Sequence, residues 1–319
     1  MNIYMAAVYT NGFMKTQKGS HDKLSDFEKT QFEVIPNILE SWHYVGRQRY
    51  VDDMRRDGAK VFLDSGAFSD WTMAKKAQKS GNEELKLKLN VADYCAYIQR
   101  NLDILRVEDG DLMASVLDGI GDPYKTYQNQ LEMEWRGVRP LPCFHFGEDE
   151  RYLEHYVKNY SYITIGGMVG KTQQQLMTWL DRIFDRYICD KSGRPRLKVH
   201  GFGLTSVTMM ENFPWYSCDS SSWIQYAVYG HIFHPRYNVI TVSGKSPRKH
   251  DLGMHVTTLT DVERQFVYEE FSRIGFDVDR LMTVYEARAA FNMWSFKEIN
   301  KIINVGKSEI YSARKQELF

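Results

Sequence analysis

The sequence predicts an α/β fold, specifically a (β/α)8 TIM barrel with extra C-terminal helices. Short apolar runs, most ending in Gly, Asp or His, alternate with longer amphipathic stretches, as in parallel sheets with helical crossovers. Eight such runs occur, which is the strand count of a TIM barrel. A doubly wound open sheet is the competing layout. The runs are residues 3–9, 60–64, 112–118, 140–146, 162–167, 197–203, 215–219 and 238–244.

Three stretches between these runs have the pattern of helices. Residues 90–105 and 172–188 place apolar side chains near the 3.6-residue helical period. Residues 123–137 begin with Pro and end with Gly, as helices often do. Residues 257–319 are predicted to form a C-terminal helical extension. No linker-like segment interrupts the chain, so we expect a single domain over residues 1–319.

Composition limits the class of protein. The chain has 319 residues, and 41 Lys and Arg balance 41 Asp and Glu. This balance argues against a protein that coats nucleic acid non-specifically, but it allows an enzyme that binds DNA or RNA through a local patch. No secretion signal and no apolar run of roughly 18 residues is present. We therefore expect a cytoplasmic protein, in the host cytoplasm if a phage encodes it, with no membrane partner.

The four cysteines show no metal-binding or disulfide pattern. Cys95, Cys143, Cys189 and Cys218 lack CxxC or CxC spacing. This distribution predicts buried, reduced thiols, and neither a disulfide framework nor a zinc ribbon.

Three of the predicted strands end in aspartate, namely Asp64, Asp118 and Asp219. In a barrel the carboxyl ends of the strands meet at one mouth, where the active site lies. A carboxylate at the edge of a dry core is costly unless it is used, although each one alone could be a helix cap. Paired carboxylates suit chemistry at a sugar anomeric carbon, with one as nucleophile and one transferring protons.

Two loops could contact a ligand. The segment YITIGGMVGKT (162–172) resembles a phosphate loop, but Ile165 stands where that motif requires glycine. Its glycines instead permit close approach of a ligand to the backbone. A basic loop follows the last predicted strand and is either a phosphate-binding loop or a solvated one. Its cations are Lys245, Arg248 and Lys249.

Six short segments resemble, in order, the motifs of the tRNA-guanine transglycosylase superfamily. Each motif is short, but six in register over residues 60–223 form a more specific signal. The family's CxCxxC zinc site has no counterpart, because no cysteine follows Cys218. This zinc-free, shortened form is similar to the phage DpdA-like DNA 7-deazaguanine transglycosylases. The segments are DSGAF (64–68), VLDGIGDP (116–123), CFHFGED (143–149), YITIGGMVG (162–170), VHGFGLT (199–205) and YSCDSSSW (216–223).

The resemblance implies roles for four side chains at the predicted mouth. Asp219 matches the nucleophile that bonds to the sugar C1′ after guanine leaves. Asp64 matches the carboxylate that contacts the base and acts as general acid and base. Phe68 matches the aromatic residue that stacks on the base, and Asp118 matches the carboxylate that binds its Watson–Crick edge.

The resemblance also implies contacts from three loops. Gly167 and Met168 match the family's pair that touches the base O6 and 7-substituent. His145 stands where the family has glutamine, and His200 where it has an apolar residue that covers the base. Gly166 and Gly201, beside these positions, complete the predicted base site.

The activity implied is exchange of guanine in DNA for a free 7-deazaguanine, either preQ0 or a derivative, by double displacement. The expected partners are DNA and the free base, with the basic loop on the DNA backbone and with no metal or other cofactor. Three alternatives stay open: the same exchange on tRNA, a barrel enzyme that only hydrolyses, and a non-catalytic nucleic-acid-binding barrel.

Overall fold

The computed structural model describes residues 1–80 and 87–317, with side chains as far as residue 305. The chain divides into two compact units. One comprises Met1–Thr10, Asn37–Asp219 and Gly306–Phe319, and the other Asn11–Pro36 and Ser220–Val305. The single domain expected from the sequence stays a prediction.

The first unit is built on a parallel sheet, which confirms the predicted α/β class. Among the described residues this sheet has seven strands, in the order β3-β2-β1-β9-β8-β7-β6. Two short antiparallel pairs, β4 with β5 and β10 with β11, lie outside it. The strands are β1 (Asn2–Ala6), β2 (Ile38–Ser41), β3 (Val61–Asp64), β4 (Val107–Glu108), β5 (Asp111–Leu112), β6 (Cys143–His145), β7 (Tyr162–Gly166), β8 (Lys198–Gly201), β9 (Ser217–Ser220), β10 (His231–His234) and β11 (Asn238–Thr241).

The predicted strand at residues 112–118 is present only as single bridges. Ser115 N–H donates to Leu63 O at 2.9 Å, and Leu141 N–H donates to Ala114 O at 2.8 Å. This segment therefore joins β3 to the residues that precede β6 without forming a regular strand. The described sheet is a seven-stranded curled sheet and not the closed eight-stranded barrel that the sequence predicted.

Two other strand predictions need correction. Residues 238–244 were expected to be the eighth barrel strand, but β11 pairs antiparallel with β10 in the second unit. Strand β2 was not predicted, because Glu40 interrupts its apolar run. That carboxylate is fully buried, and it accepts hydrogen bonds from Tyr9 N–H at 2.6 Å and the Thr10 hydroxyl at 2.8 Å.

The interior of the sheet is apolar and aromatic. Tyr4 of β1, Leu39 of β2, Phe62 of β3 and Tyr162 of β7 belong to one buried cluster. Strands β3 and β7 are far apart in the strand order, so their contact with a common cluster shows that the sheet curls around it. The curl brings the carboxyl ends of distant strands toward one another.

The helices confirm the three central helix predictions, as α5, α6 and α8, and the C-terminal helical segment. Helix α6 begins as its sequence predicts, with Pro in the first turn and the Asp122 side chain accepting from Lys125 N–H. Among the described residues no helix is long and apolar enough to cross a membrane. The helices are α1 (Asp26–Glu33), α2 (Trp42–Val45), α3 (Gln48–Asp57), α4 (Ala67–Lys79), α5 (Val91–Arg100), α6 (Pro123–Trp135), α7 (Glu150–Asn159), α8 (Gln173–Ile183), α9 (Val207–Asn212), α10 (Ser222–Val228), α11 (Asp261–Ile274), α12 (Val278–Thr283) and α13 (Tyr285–Glu317).

Gly66 fixes the turn between β3 and α4, and its replacement is expected to be costly. Its φ is +78°, and a Cβ at this position would lie 2.4 Å from both Ser41 Oγ and His43 Cβ. We expect Gly66→Ala to lower the free energy of unfolding by about 3 kcal/mol, from left-handed strain plus the steric clash. Urea denaturation of Gly110→Ala is the matched control, because Gly110 has a φ of +89° but open space around a Cβ. Equal losses in the two variants would contradict the clash.

Candidate active site

The structure brings together the three predicted aspartates of the first unit. Asp64 ends β3 and Asp219 lies in β9, while Asp118 follows the bridging segment. Burial, followed by the charges of Asp118 and Asp219, raises the pKa of Asp64 to about 7. Gly66 N–H donates to Asp64 Oδ2 at 3.0 Å, which partly opposes the rise. Asp64 can therefore both give and take a proton near neutral pH.

Asp219 is nearly buried and held through a single oxygen. Gly203 N–H donates to Oδ1 at 2.9 Å, and His200 Nε2 lies 3.3 Å from the same atom. Both interactions involve Oδ1, and together they fix the orientation of the carboxylate. They leave Oδ2 as the oxygen suited to attack a substrate carbon.

A buried polar chain continues behind Asp219. His200 Nδ1 lies 2.6 Å from Ser217 Oγ, which lies 2.6 Å from Tyr162 Oη. His200 belongs to the predicted base site, without an assigned role, and the structure places its fully buried ring between Ser217 and Asp219. Ser217 and Tyr162 were not predicted as site residues. The only indication in the sequence was a polar residue at a buried strand position. These hydrogen bonds orient the His200 imidazole toward Asp219.

A second polar cluster surrounds His145, at the end of β6. His145 Nε2 lies 3.4 Å from Asp118 Oδ2 and 3.4 Å from Cys143 Sγ, and Nδ1 lies 3.0 Å from Glu148 Oε1. Burial opposes charge on the ring, but Cys143 and the Asp118 carboxylate more than offset it, so the pKa of His145 lies well above its usual value. Burial, with the Asp118 charge, raises the pKa of Cys143 to about 11.

Asp118 also borders an open cavity of about 490 Å³ in the first unit. Ala67 and Trp71 of α4 line it, together with Asn129 of α6. This volume is sufficient for a purine base. Among the described residues, no hydrogen-bond partner meets the buried Asp118 Oδ1. A buried oxygen without a partner is unusual, and it suggests a ligand that supplies a donor or a cation.

The aromatic residue predicted to stack on the base lies near this cavity. Phe68 is 58% exposed and stacks on Trp71, with ring centroids 6.1 Å apart. The exposed ring of Phe68, beside the partly buried Trp71, is available for stacking on a base. Contact of Phe68 with a base stays a prediction.

The predicted backbone contacts lie in tightly packed surroundings. A Cβ on Gly166 would lie 2.9 Å from the His145 ring, and one on Gly167 2.9 Å from Phe146 N. A Cβ on Gly201 would lie 3.2 Å from the Trp215 ring, and Met168 is buried. Packing within the protein already accounts for these glycines, and their contact with a base stays a prediction.

The basic loop follows β11 in the second unit. Lys245, Arg248 and Lys249 are all exposed. Arg248 Nε lies 3.1 Å from Asp251 Oδ2, so the Arg248 charge is partly neutralised locally. The two lysines are therefore the better candidates for phosphate contacts, which stay a prediction.

The four cysteines, all within the described residues, are reduced and buried, as predicted.

In comparisons with known proteins, no family model matches the chain and no curated protein matches it. The resemblance to guanine transglycosylases therefore rests on the six sequence motifs.

Proposed function

We propose that the protein is a guanine transglycosylase with a TIM-like α/β fold. It exchanges guanine in DNA for a free 7-deazaguanine, such as preQ0, in the cytoplasm. The observation that carries the proposal is the convergence of three carboxyl groups, in which burial, followed by the charges of Asp118 and Asp219, raises the pKa of Asp64 to about 7. A nucleophile beside a carboxyl that titrates near neutrality is what a retaining exchange at C1′ requires.

The first step removes guanine. Asp219 Oδ2 attacks the deoxyribose C1′ as the C1′–N9 bond breaks, through an oxocarbenium-like transition state. The electron pair of that bond goes to guanine, and the Asp64 carboxyl gives its proton to the departing base. Neutral guanine leaves, and an ester bond joins Asp219 to the sugar.

The second step inserts the new base. The 7-deazaguanine gives its N9 proton to the Asp64 carboxylate while N9 attacks C1′. The Asp219 carboxylate departs with the electron pair of the ester bond. Two inversions at C1′ retain the configuration, and Asp64 returns to the protonated state with which the cycle began.

Base binding uses the cavity beside Asp118. A guanine must leave the stack of the duplex, or enter from single-stranded DNA, to reach a buried carboxylate. The exposed Phe68 offers a face for stacking, and Asp118 Oδ1 offers an acceptor for the N–H groups of the Watson–Crick edge. His145 Nε2 lies 3.4 Å from Asp118 Oδ2, which leaves Oδ1 for the base.

Incubation with labelled guanine tests this function. Guanine-containing single-stranded DNA, duplex DNA and tRNA are each mixed with the protein and labelled guanine, and incorporation into the polymer is measured. Unlabelled preQ0 is then added, and the nucleosides are identified by mass spectrometry. The proposal predicts label in DNA and its replacement by the 7-deazaguanine.

Each alternative gives a different result. Incorporation into tRNA alone would show that the substrate is tRNA and not DNA. Release of guanine with abasic sites and no incorporation would indicate a hydrolase. Salt-dependent binding without turnover would indicate a binding protein and would overturn the proposed activity.

Ser217→Ala is expected to slow exchange by roughly tenfold, because one hydrogen bond that orients His200 is lost. The loss should fall on kcat, with KM for DNA little changed, since Ser217 lies behind the nucleophile and away from the base. Ser217→Thr keeps the hydroxyl and should recover most of the rate. Steady-state exchange kinetics check this, and an unchanged kcat in Ser217→Ala would show that the buried chain does not position Asp219.

A further inference from the structure

We propose that Asp118, Cys143 and His145 form a binding site for a single zinc ion. Their side chains offer one oxygen, one sulfur and one nitrogen, all within 4.8 Å of one another. The site shares Asp118 and His145 with the proposed base-binding site, but the proposal is argued from ligand geometry and does not require base exchange. It departs from the expectation from sequence that the chain holds no metal.

The distances suit a tetrahedral ion better than direct hydrogen bonds. His145 Nε2 lies 3.4 Å from both Cys143 Sγ and Asp118 Oδ2. Charge-assisted N–H···O bonds are typically about 2.7–2.9 Å long. Ligands on a tetrahedral zinc, with bonds of about 2.0–2.3 Å, lie roughly 3.3–3.6 Å apart. Both distances from His145 Nε2 are therefore those that a shared zinc ion would impose, and the remaining pair, Cys143 and Asp118, lies within 4.8 Å.

The hydrogen-bond capacity of His145 leads to the same conclusion. Nδ1 faces the Glu148 carboxylate at 3.0 Å, so Nδ1 carries a proton and donates. In the neutral imidazole Nε2 is then an acceptor, which the Cys143 thiol can meet at 3.4 Å but which also faces the Asp118 carboxylate, another acceptor. A cation bound by Nε2 and the carboxylate turns this repulsion into attraction. An imidazolium that shares one proton between two partners is the metal-free alternative.

The residues around the site provide the support that metal ligands usually have. Glu148 accepts from both His145 N–H at 2.8 Å and Nδ1, as the outer carboxylate of a carboxylate–histidine–zinc triad does. Cys143 and His145 are two apart on β6, so both side chains lie on one face of the strand. The buried Asp118 Oδ1 meets no hydrogen-bond partner among the described residues, which is a second sign of a missing ligand.

The ligand types favour zinc and leave it an open position. A thiolate, an imidazole and a carboxylate together are typical of Zn²⁺ and unlike the all-oxygen sites of Mg²⁺ or Ca²⁺. Three protein ligands leave a fourth position for water or a ligand atom, as in catalytic zinc sites. Asp118 lines the open cavity, which supplies the entry path. Binding releases the Cys143 thiol proton to solvent, because only the thiolate coordinates.

Cobalt titration tests the site without reference to activity. The full-length protein, stripped with a chelator, is titrated with Co²⁺ and followed by absorption, and Zn²⁺ is then added in competition. We expect one equivalent of Co²⁺ to bind with a thiolate-to-cobalt charge-transfer band and tetrahedral visible bands, which Zn²⁺ abolishes. Cys143→Ser should lose the charge-transfer band, whereas Cys95→Ser, the same change at a buried cysteine of α5, should retain it.

Glu148→Gln provides a second variant that keeps all three ligands. We expect it to weaken Zn²⁺ affinity by roughly 10–100-fold, the usual effect of losing an outer carboxylate partner. Circular dichroism verifies that each variant folds. Failure of the wild-type protein to bind Co²⁺ stoichiometrically, or an unchanged charge-transfer band in Cys143→Ser, would overturn the zinc site and leave the base-exchange proposal standing.

Discussion

Asp219→Ala is expected to abolish guanine exchange, with a loss on the order of 10⁴-fold or more. The variant lacks the oxygen that bonds to C1′, so no covalent intermediate can form. The rate of labelled-guanine incorporation into single-stranded DNA measures the effect. Asp103→Ala is the matched control, because Asp103 lies on the surface of the same unit in an exposed pair with Arg55.

Folding must be checked in the same experiment, because the substitution leaves Gly203 N–H and His200 Nε2 without their shared acceptor. Thermal melts followed by circular dichroism separate loss of structure from loss of chemistry. A folded Asp219→Ala protein that still exchanges guanine at a measurable fraction of the wild-type rate would remove Asp219 from the nucleophile role.

Asp64→Asn is expected to slow both chemical steps by about 10²–10⁴-fold, the usual contribution of a general acid or base. The two steps should respond to pH in opposite directions in the wild-type protein. Guanine departure needs the protonated carboxyl and should slow as the pH rises through about 7. Insertion of the new base needs the carboxylate and should accelerate as the pH rises.

Single-turnover measurements resolve the two steps. Guanine release without added base reports the first, and incorporation into a preformed intermediate reports the second. Asp64→Asn can neither give nor take the proton, so both profiles should lose their inflection near pH 7. An inflection that persists in the variant would assign the titration to another group.

The same pKa shift predicts a dependence of stability on pH. Burial and the charges of Asp118 and Asp219 raise the pKa of Asp64, and the hydrogen bond from Gly66 N–H lowers it. The pKa of Asp64 is raised on folding from 3.8 to about 7, so its stabilising contribution is complete below pH 4 and is lost as the pH rises through 7. Asp64→Asn should therefore gain up to about 4 kcal/mol over the wild type at pH 8 and nothing at pH 4. A less stable variant at pH 8 would indicate a structural role for Asp64.

The sequence was sufficient for the α/β class and for the positions of most parallel strands. Periodicity identified α5 and α8, whose buried residues recur at helical spacing, and the terminal Pro and Gly identified α6. The apolar pattern failed to predict β2, because the buried Glu40 looks like a surface residue in the sequence. Its hydrogen bonds from Tyr9 N–H and the Thr10 hydroxyl are visible only in the structure. The pattern also failed at residues 238–244, because an alternating run fits a hairpin strand as well as a barrel strand.

The site could be predicted only in part. Strand-end aspartates are visible in a sequence, and parallel strands predict that they meet. The contacts of Asp118 with Cys143 and His145 are not visible, because the segment that ends in Asp118 is distant from β6 in sequence. Ser217 was missed for the same reason, since its contacts with His200 and Tyr162 cross the sheet.

The most direct test of the central claim is isolation of the covalent intermediate. Wild-type protein is mixed with a guanine-containing single-stranded oligonucleotide, without a second base, and denatured for intact-mass analysis. The account predicts a species whose mass equals protein plus oligonucleotide minus guanine, and peptide mapping that places the bond on Asp219. Guanine release without such a species, or a bond mapped to Asp64 or Asp118, would contradict it.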